Sequence, residues 1–145
     1  MMLTRRATLT GLFLACTLKP AAATPAMMEA AIAAFTNGRS VTEGRVKLDL
    51  PPLVENGNAV PLTVNVESPM TEQDFIRRVA LFNEKNPQPN IAVFHLTPRS
   101  GRAQVSTRIR LGDSQFITAI AETNRGALFS AKAELVVTLP ACAEN

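Results

Sequence analysis

Residues 60–67 read Val60-Pro61-Leu62-Thr63-Val64-Asn65-Val66-Glu67. Apolar side chains occupy every second position of this run, and mostly polar side chains lie between them. A period of two residues places the apolar side chains on one face of a β-strand and the polar ones on the other. The run therefore predicts a half-buried strand of an antiparallel sheet, with one face against the core and the other in water.

Similar runs occur along the chain after Gly44, separated by turn signals such as Asn56-Gly57-Asn58 and Asn124-Arg125-Gly126. The predicted strands are Arg45–Leu50, Val60–Glu67, Ile76–Asn83, Ile91–Thr97, Ala103–Leu111, Phe116–Glu122 and Ala127–Leu139. About seven short strands with such turns over about 100 residues are typical of two sheets packed face to face. We therefore predict an all-β fold, an immunoglobulin-like antiparallel sandwich over residues 43–139. The usual inter-sheet disulfide and core tryptophan of that fold are absent.

The first 23 residues have the features of a secretory signal. Arg5 and Arg6 precede an apolar run from Leu9 to Leu18, and small residues at 21–23 suit cleavage. The run is shorter than the roughly 20 apolar residues that span a membrane. Paired arginines before such a run are typical of the twin-arginine export route, so we expect a periplasmic protein that begins near residue 24 after cleavage.

Residues 24–42 are predicted to form an N-terminal helix and a linker. Thr24 is a residue type that caps helices, Pro25 suits the first turn, and Asn37-Gly38 is a common helix end. The apolar side chains of this segment are mostly Ala and Met. That composition predicts a helix that docks loosely on the sandwich or frays.

Removing the signal changes the charge of the chain. The precursor carries 15 basic and 12 acidic residues, but Arg5, Arg6 and Lys19 precede the first acidic residue, Glu29. The exported chain therefore has twelve residues of each sign. It also contains no Trp or Tyr on which bases could stack. Neither charge nor composition favours nucleic acid or an anionic membrane as a partner.

The exported chain keeps one cysteine, because Cys16 lies in the signal and Cys142 lies in a C-terminal arm, residues 140–145. Pro140 stops the last strand, and the small and polar residues after it have nothing to bury. An unpaired cysteine in an exported protein indicates a reactive thiol or an intermolecular disulfide. The residues alone leave open a thiol that carries a group between enzymes, and an interaction module whose cysteine is incidental or links two chains.

The sequence offers no self-contained active site. His95 is the one histidine, so a histidine-based metal site or a Cys–His pair would have to use it. It lies among apolar residues of a predicted strand, which favours a structural role with its ring nitrogens satisfied by neighbours. The acidic residues predicted to form a solvated surface are Asp49, Glu55, Glu67, Glu72, Asp74 and Glu84. No cofactor or metal site is predicted; an enzyme would need His95 near a pocket and Cys142.

Several sequence blocks, by their order and spacing, carry a resemblance to a known protein family. They are Glu43–Pro51, Glu55–Asn58, Val66–Thr71, Glu84–Pro87, Phe94–Pro98, Ser106–Leu111 and Ala131–Glu134. In these blocks, from about Glu43 to Cys142, the chain resembles the SoxY family, the sulfur-carrier subunits of the periplasmic thiosulfate-oxidising system. The resemblance implies an immunoglobulin-like sandwich that pairs with a SoxZ-like subunit as a heterodimer. It also implies that Cys142 holds thiosulfate-derived sulfur covalently and that the chain is not itself an enzyme.

The resemblance further implies a set of partner enzymes. A c-type cytochrome loads thiosulfate onto the family cysteine, a hydrolase releases sulfate, and a sulfane dehydrogenase oxidises the remaining sulfur. The family arm is Gly-Gly-Cys-Gly-Gly, whereas here Cys142 lies between Ala141 and Ala143 and is followed by Glu144. Alanine restricts the backbone more than glycine does, and nearby carboxylates raise the pKa of a thiol. These differences would slow attack by the thiolate. They leave three alternatives: a carrier with modified partners, a divergent paralogue that handles another sulfur species, or a chain that has lost the carrier role and keeps only the pairing surface.

Overall fold

The computed structural model describes residues 23–139, and its architecture is the predicted all-β sandwich with one N-terminal helix. The elements are α1 (Pro25–Thr36), β1 (Thr42–Glu43), β2 (Val46–Asp49), β3 (Leu53–Asn56), β4 (Val60–Val66), β5 (Ile76–Asn83), β6 (Asn90–His95), a short 3-10 helix (Pro98–Ser100), β7 (Gln104–Ile109), β8 (Gln115–Thr123) and β9 (Leu128–Leu139). All seven predicted strands are present, with ends that differ by a few residues. Of the predicted signal, residues 1–23, only Ala23 is among the described residues. Within the described range, no helix has the length and hydropathy needed to cross a membrane.

Two sheets face each other. The larger has the order β1-β9-β8-β5-β6, with β3 also paired to β9, and the smaller has the order β2-β4-β7. In the larger sheet the pairs β5–β6, β5–β8 and β8–β9 run antiparallel, whereas β1 and β3 both run parallel to β9. Strand β9 is therefore flanked by β8 on one side and by two short parallel strands on the other.

The sequence predicted neither β1 nor β3, although it predicted the strand between them. The chain pairs first with β9 as β1, crosses to the smaller sheet as β2, and returns to β9 as β3. Gly44 and Arg45 both have positive φ at the first crossing, and Pro51-Pro52 occupies the second. Arg45 fastens the first crossing, since its guanidinium donates to the Glu67 carbonyl at 2.7 Å and lies 4.7 Å from the Phe129 ring centroid.

The core lies between the sheets and follows the alternation seen in the sequence. The apolar residues of β4 are buried and its polar residues are partly or fully exposed, as predicted. The fully buried side chains of this core include Val60, Leu62, Val64, Ile76, Leu81, Leu111, Ile117 and Leu135. Along β9, Leu135 and Val137 face this core, but Leu139 has passed beyond it and is exposed.

Helix α1 begins and ends where the sequence predicted. The Thr24 hydroxyl accepts a hydrogen bond from the Met27 amide at 3.3 Å, and Asn37 adopts the left-handed conformation as the C-cap. The prediction of loose packing was wrong. Met28 is buried against Phe82 and Ile120 on the outer face of the larger sheet, in a second apolar cluster. A few large side chains therefore anchor a helix that is otherwise rich in alanine.

Candidate functional site at the end of the last strand

Cys142, the predicted functional residue, lies outside the described residues, as do the other residues of the arm. The described chain ends at Leu139, the last residue of β9. Three peptide units separate Leu139 from Cys142. Since an extended chain spans at most about 3.3–3.6 Å per residue, the Cys142 Cα lies within roughly 10 Å of the Leu139 Cα. The surroundings of Leu139 are therefore the fixed part of the candidate site.

The end of β9 is held on both flanks. On one side, β3 pairs with it in parallel register, Val136 beside Leu53 and Leu139 beside Asn56, and the Gly57 amide donates to the Leu139 carbonyl at 2.9 Å. On the other side, the Ser114 hydroxyl accepts a hydrogen bond from the Val137 amide at 2.8 Å. We call residues Leu53–Asn56 and Val136–Leu139 the arm root. The arm thus departs from a base that is hydrogen-bonded up to its last described residue.

Two polar side chains, the buried Gln115 and the partly exposed Asn86, tie together the loops beside the arm root. The Gln115 side-chain carbonyl accepts hydrogen bonds from the Glu84 and Lys85 amides, at 3.1 and 2.9 Å. The Asn86 side-chain carbonyl accepts one from the Gly112 amide at 3.0 Å, and its amide donates to the Arg110 carbonyl at 2.7 Å. The loops before β6 and before β8 therefore form one connected unit. This unit was not predicted from the sequence, because an isolated Gln or Asn near a strand end carries no signal of its partners.

Two ion pairs lie near the arm root. Lys85 lies 3.0 Å from the Asp113 carboxylate, and both side chains are about half exposed. The hydrogen bond from Lys85, with another from the Ser114 amide, lowers the pKa of Asp113. The Glu84 carboxylate, which the sequence assigned to a solvated surface, is only 14% exposed and lies 3.5 Å from the Lys132 ammonium. Of the other five acidic residues assigned to that surface, only Asp74 is partly buried.

His95 lies far from the arm root and does not have the environment that the sequence predicted. It lies at the end of the edge strand β6 and is exposed, so its ring is not enclosed by neighbours. Cross-strand register places His95 beside Arg78 on β5. Further along β5, Phe82 pairs with Thr118 on β8, and Thr118 pairs with Lys132 on β9. Leu139 is thus eleven residues further along the strand direction than His95, which corresponds to about 35 Å. The described geometry keeps this histidine out of reach of a thiol three residues beyond Leu139.

A buried charge cluster surrounds Glu122, and no sequence pattern predicted it. Glu122 is fully buried, and its carboxylate accepts hydrogen bonds from Arg39, Arg77 and Arg78. Burial alone would raise the pKa of Glu122, but these three guanidinium hydrogen bonds outweigh burial and lower the pKa below its ordinary value of 4.5. Arg39 and Arg78 also donate to the carbonyls of Gly126 and Phe35. The cluster therefore joins the end of α1 to the sheet, at the end of the molecule away from the arm root.

A metal centre is not evident in residues 23–139, where no three His, Cys, Asp or Glu side chains come together in a way that could hold an ion.

Comparison with known proteins shows the family to which the chain belongs. The protein-family model "Sulfur oxidation protein SoxY" matches residues 32–142. The chain belongs to the SoxY family. The match spans most of the chain and extends to Cys142.

Solved structures agree with the family assignment. The sulfur carrier protein SoxY from Chlorobium limicola f thiosulfatophilum superposes with a TM-score of 0.66 at 27% identity, covering 79% of this chain and 98% of that one. A superoxide reductase (neelaredoxin) from Ignicoccus hospitalis superposes with a TM-score of 0.57 at 21% identity, covering 79% and 94%. The second likeness concerns the fold alone. A search of curated proteins finds no significant match to this SoxY-family chain.

Proposed function

We propose that this SoxY-family chain is a sulfur carrier of thiosulfate oxidation, which holds thiosulfate-derived sulfur covalently on the Cys142 thiol and presents it to partner enzymes. The observation that carries the proposal is the family match, which runs through the sandwich and ends at Cys142. The sulfur carrier from Chlorobium limicola f thiosulfatophilum, at 27% identity, supports it. The anchored end of β9 suits such a role, because the thiol is attached three residues beyond a fixed base.

The loading step is an oxidative coupling. The Cys142 thiol loses its proton, the thiolate sulfur forms an S–S bond to the terminal sulfur of thiosulfate, and two electrons leave. A c-type cytochrome, as in the family, accepts these electrons and orients both sulfurs. The thiolate is the nucleophile, so the cytochrome has to supply a positive or hydrogen-bonding environment at Cys142.

The chain acts as a carrier and not as a catalyst. A Cys–His pair needs its two side chains within hydrogen-bond reach, about 2.6–3.2 Å. His95, the one histidine, lies about 35 Å along the strand direction from Leu139. Since Cys142 lies within about 10 Å of Leu139, the base that activates its thiol comes from another protein.

The carrier works as a heterodimer with a SoxZ-like subunit, and the loading cytochrome, the sulfate-releasing hydrolase and the sulfane dehydrogenase use it in turn. Export through the twin-arginine signal of residues 1–23 places it in the periplasm, where an unpaired thiol meets oxidising conditions. Covalent storage on one cysteine keeps the sulfur intermediates bound between these steps.

Intact-mass spectrometry tests the proposal. The chain is purified with its SoxZ-like subunit and incubated with thiosulfate and the oxidised loading cytochrome. We expect a mass increase of one thiosulfate group on Cys142, reversed by a thiol reductant, and no increase for Cys142→Ser or without cytochrome. An unmodified wild-type cysteine would contradict the carrier function. A reducible dimer of unmodified chains would instead support an exported interaction module whose cysteine links two copies.

A further inference from the structure

The exposed apolar side chains of the described chain are concentrated at the arm root. Five large apolar side chains are exposed in residues 23–139, and three of them are Leu53, Val136 and Leu139, at 57%, 43% and 66% exposure. Leu53 and Val136 are register partners on adjacent strands, so their side chains lie side by side on one face of the sheet. Single exposed apolar residues are ordinary, but adjacent ones mark a contact surface.

Nothing in residues 23–139 covers these side chains. Helix α1 covers the same outer face of the sheet, but its cluster takes in Ala80, Phe82, Ile120 and Leu128 and stops short of Val136. Leu139 is on the opposite, inner face of β9, one inward position beyond Val137, where the inter-sheet core ends. Leu53 and Val136 are therefore not covered by the helix, and Leu139 is not covered by the second sheet.

The short distance from Leu139 to Cys142 indicates which partner surface covers these exposed apolar side chains. The Cys142 Cα lies within roughly 10 Å of the Leu139 Cα, and the thiol reaches only about one side chain further. A partner that reacts with this thiol in a recessed site has to bring the rim of that site against the arm root. The rim then meets Leu53, Val136 and Leu139 before the thiol reaches its full depth.

We infer that Leu53, Val136 and Leu139 form a docking collar for the enzymes that modify Cys142, and that the entrance rim of these enzymes is apolar. The inference rests on the proposed carrier function and adds the surface that partners recognise. Contact with the collar desolvates the entrance and holds the arm in the site, so the collar contributes to transfer by partners. It contributes nothing to the intrinsic reactivity of the thiol.

Substitutions by asparagine test the collar without changing charge near the thiol. The test variants are Leu53→Asn, Val136→Asn and the double variant. The control is Val93→Asn, because Val93 has the same exposure, 44%, but lies on β6. Register places Val93 about 20 Å from Val136 along the strands and three strands away. A second control, Val136→Ile, keeps the apolar surface.

Two rates are measured on each purified heterodimer: loading of Cys142 by the cytochrome with thiosulfate, and alkylation of Cys142 by iodoacetamide. Loss of an apolar contact at a docking site lowers kcat/KM for loading, and we expect about fivefold to tenfold for the double variant. Val93→Asn and Val136→Ile should stay within about twofold of wild type. Alkylation should be unchanged in all variants.

Equal loading rates for the double variant and Val93→Asn would overturn the collar, provided that wild type is loaded. An equal loss in both, or slower alkylation in parallel with slower loading, would also overturn it, because the effect would then not come from docking. Failure of wild type to load would contradict the proposed function itself, so the two failures are distinct.

Discussion

At the scale of single residues, Glu122 shows how a buried charge organises this fold. Its carboxylate is enclosed, yet it is ionised, because Arg39, from the segment after α1, and two neighbouring arginines of β5 donate to it. Arg78 also lies 4.1 Å from the centroid of the Phe35 ring and donates to the Phe35 carbonyl. The same carboxylate thus positions the side chains that hold the end of α1 on the sheet.

Replacing this carboxylate should destabilise the protein. Glu122→Gln keeps the size of the side chain but leaves three neighbouring guanidiniums without a counter-charge. We expect the free energy of unfolding at pH 7 to fall by about 2–4 kcal/mol. This loss is at or below the usual range for breaking a buried ion pair, because the three arginines are partly solvated. Urea unfolding measures this loss. The exposed control, Asp113→Asn, should cost less than about 1 kcal/mol; equal losses would contradict the buried role.

The pH dependence of the same variant has a definite sign. The pKa of Glu122 is lower in the folded protein than its ordinary value of 4.5. Its contribution to stability is therefore fully present above about pH 4.5 and is lost as the pH falls through the folded pKa. The stability difference between wild type and Glu122→Gln should shrink on acidification below that point. A difference that stays constant from pH 7 to pH 3 would contradict an ionised Glu122 in the folded state.

At the scale of elements, β9 connects the parts of the molecule. It pairs with β8 along most of its length, with β1 near its start and with β3 at its end. Ser114, in the loop before β8, adds two hydrogen bonds to Val137, accepting from its amide and donating to its carbonyl. The arm root depends on these contacts, since within residues 23–139 no strand pairs with β9 on that side beyond Leu135.

Removal of the Ser114 hydroxyl should loosen the arm root locally. In Ser114→Ala, the Val137 amide loses its 2.8 Å acceptor. We expect a loss of about 1 kcal/mol in the local opening free energy, seen as roughly fivefold faster hydrogen exchange at the Val137 amide. Exchange at Leu81, in the middle of β5, serves as the control and should change little. Uniform acceleration at both amides would indicate global destabilisation and contradict a local role.

At the scale of the whole molecule, the sandwich separates two regions. The arm root and the tied loops lie at one end of the larger sheet, whereas His95 and the Glu122 cluster lie towards the other. The structure thus reserves one end for the predicted thiol arm and uses the other to fasten the helix. Residues at the far end have no route to contact Cys142 in the same chain.

This separation predicts the behaviour of the one histidine. His95→Ala should leave the rate of Cys142 loading by the cytochrome within about twofold of wild type. Leu139, to which Cys142 is attached within about 10 Å, is about 35 Å from His95 along the strands. The loading assay should be repeated over a range of pH values. A large loss, or a changed pH profile, would contradict a carrier whose thiol is activated by its partners.

Local patterns were sufficient to predict much of this protein. The period of two in Val60–Val66, the cap at Thr24 and the turn at Asn124-Arg125-Gly126 each depend on residues close in the chain, and all are confirmed. The family resemblance is also confirmed, since it rests on order and spacing of residues. Cys142 stays a prediction, because it lies outside the described residues.

Other features depend on partners that are distant in the chain. Strands β1 and β3 are two and four residues long and exist because β9, more than 80 residues later, offers its edge. Glu122 is buried because Arg39, Arg77 and Arg78 converge on it, and no short window contains all four residues. The exposed position of His95 follows from β6 being an edge strand. Short-range alternation establishes that strands form, but long-range packing determines which edges pair, which charges are enclosed and where the arm begins.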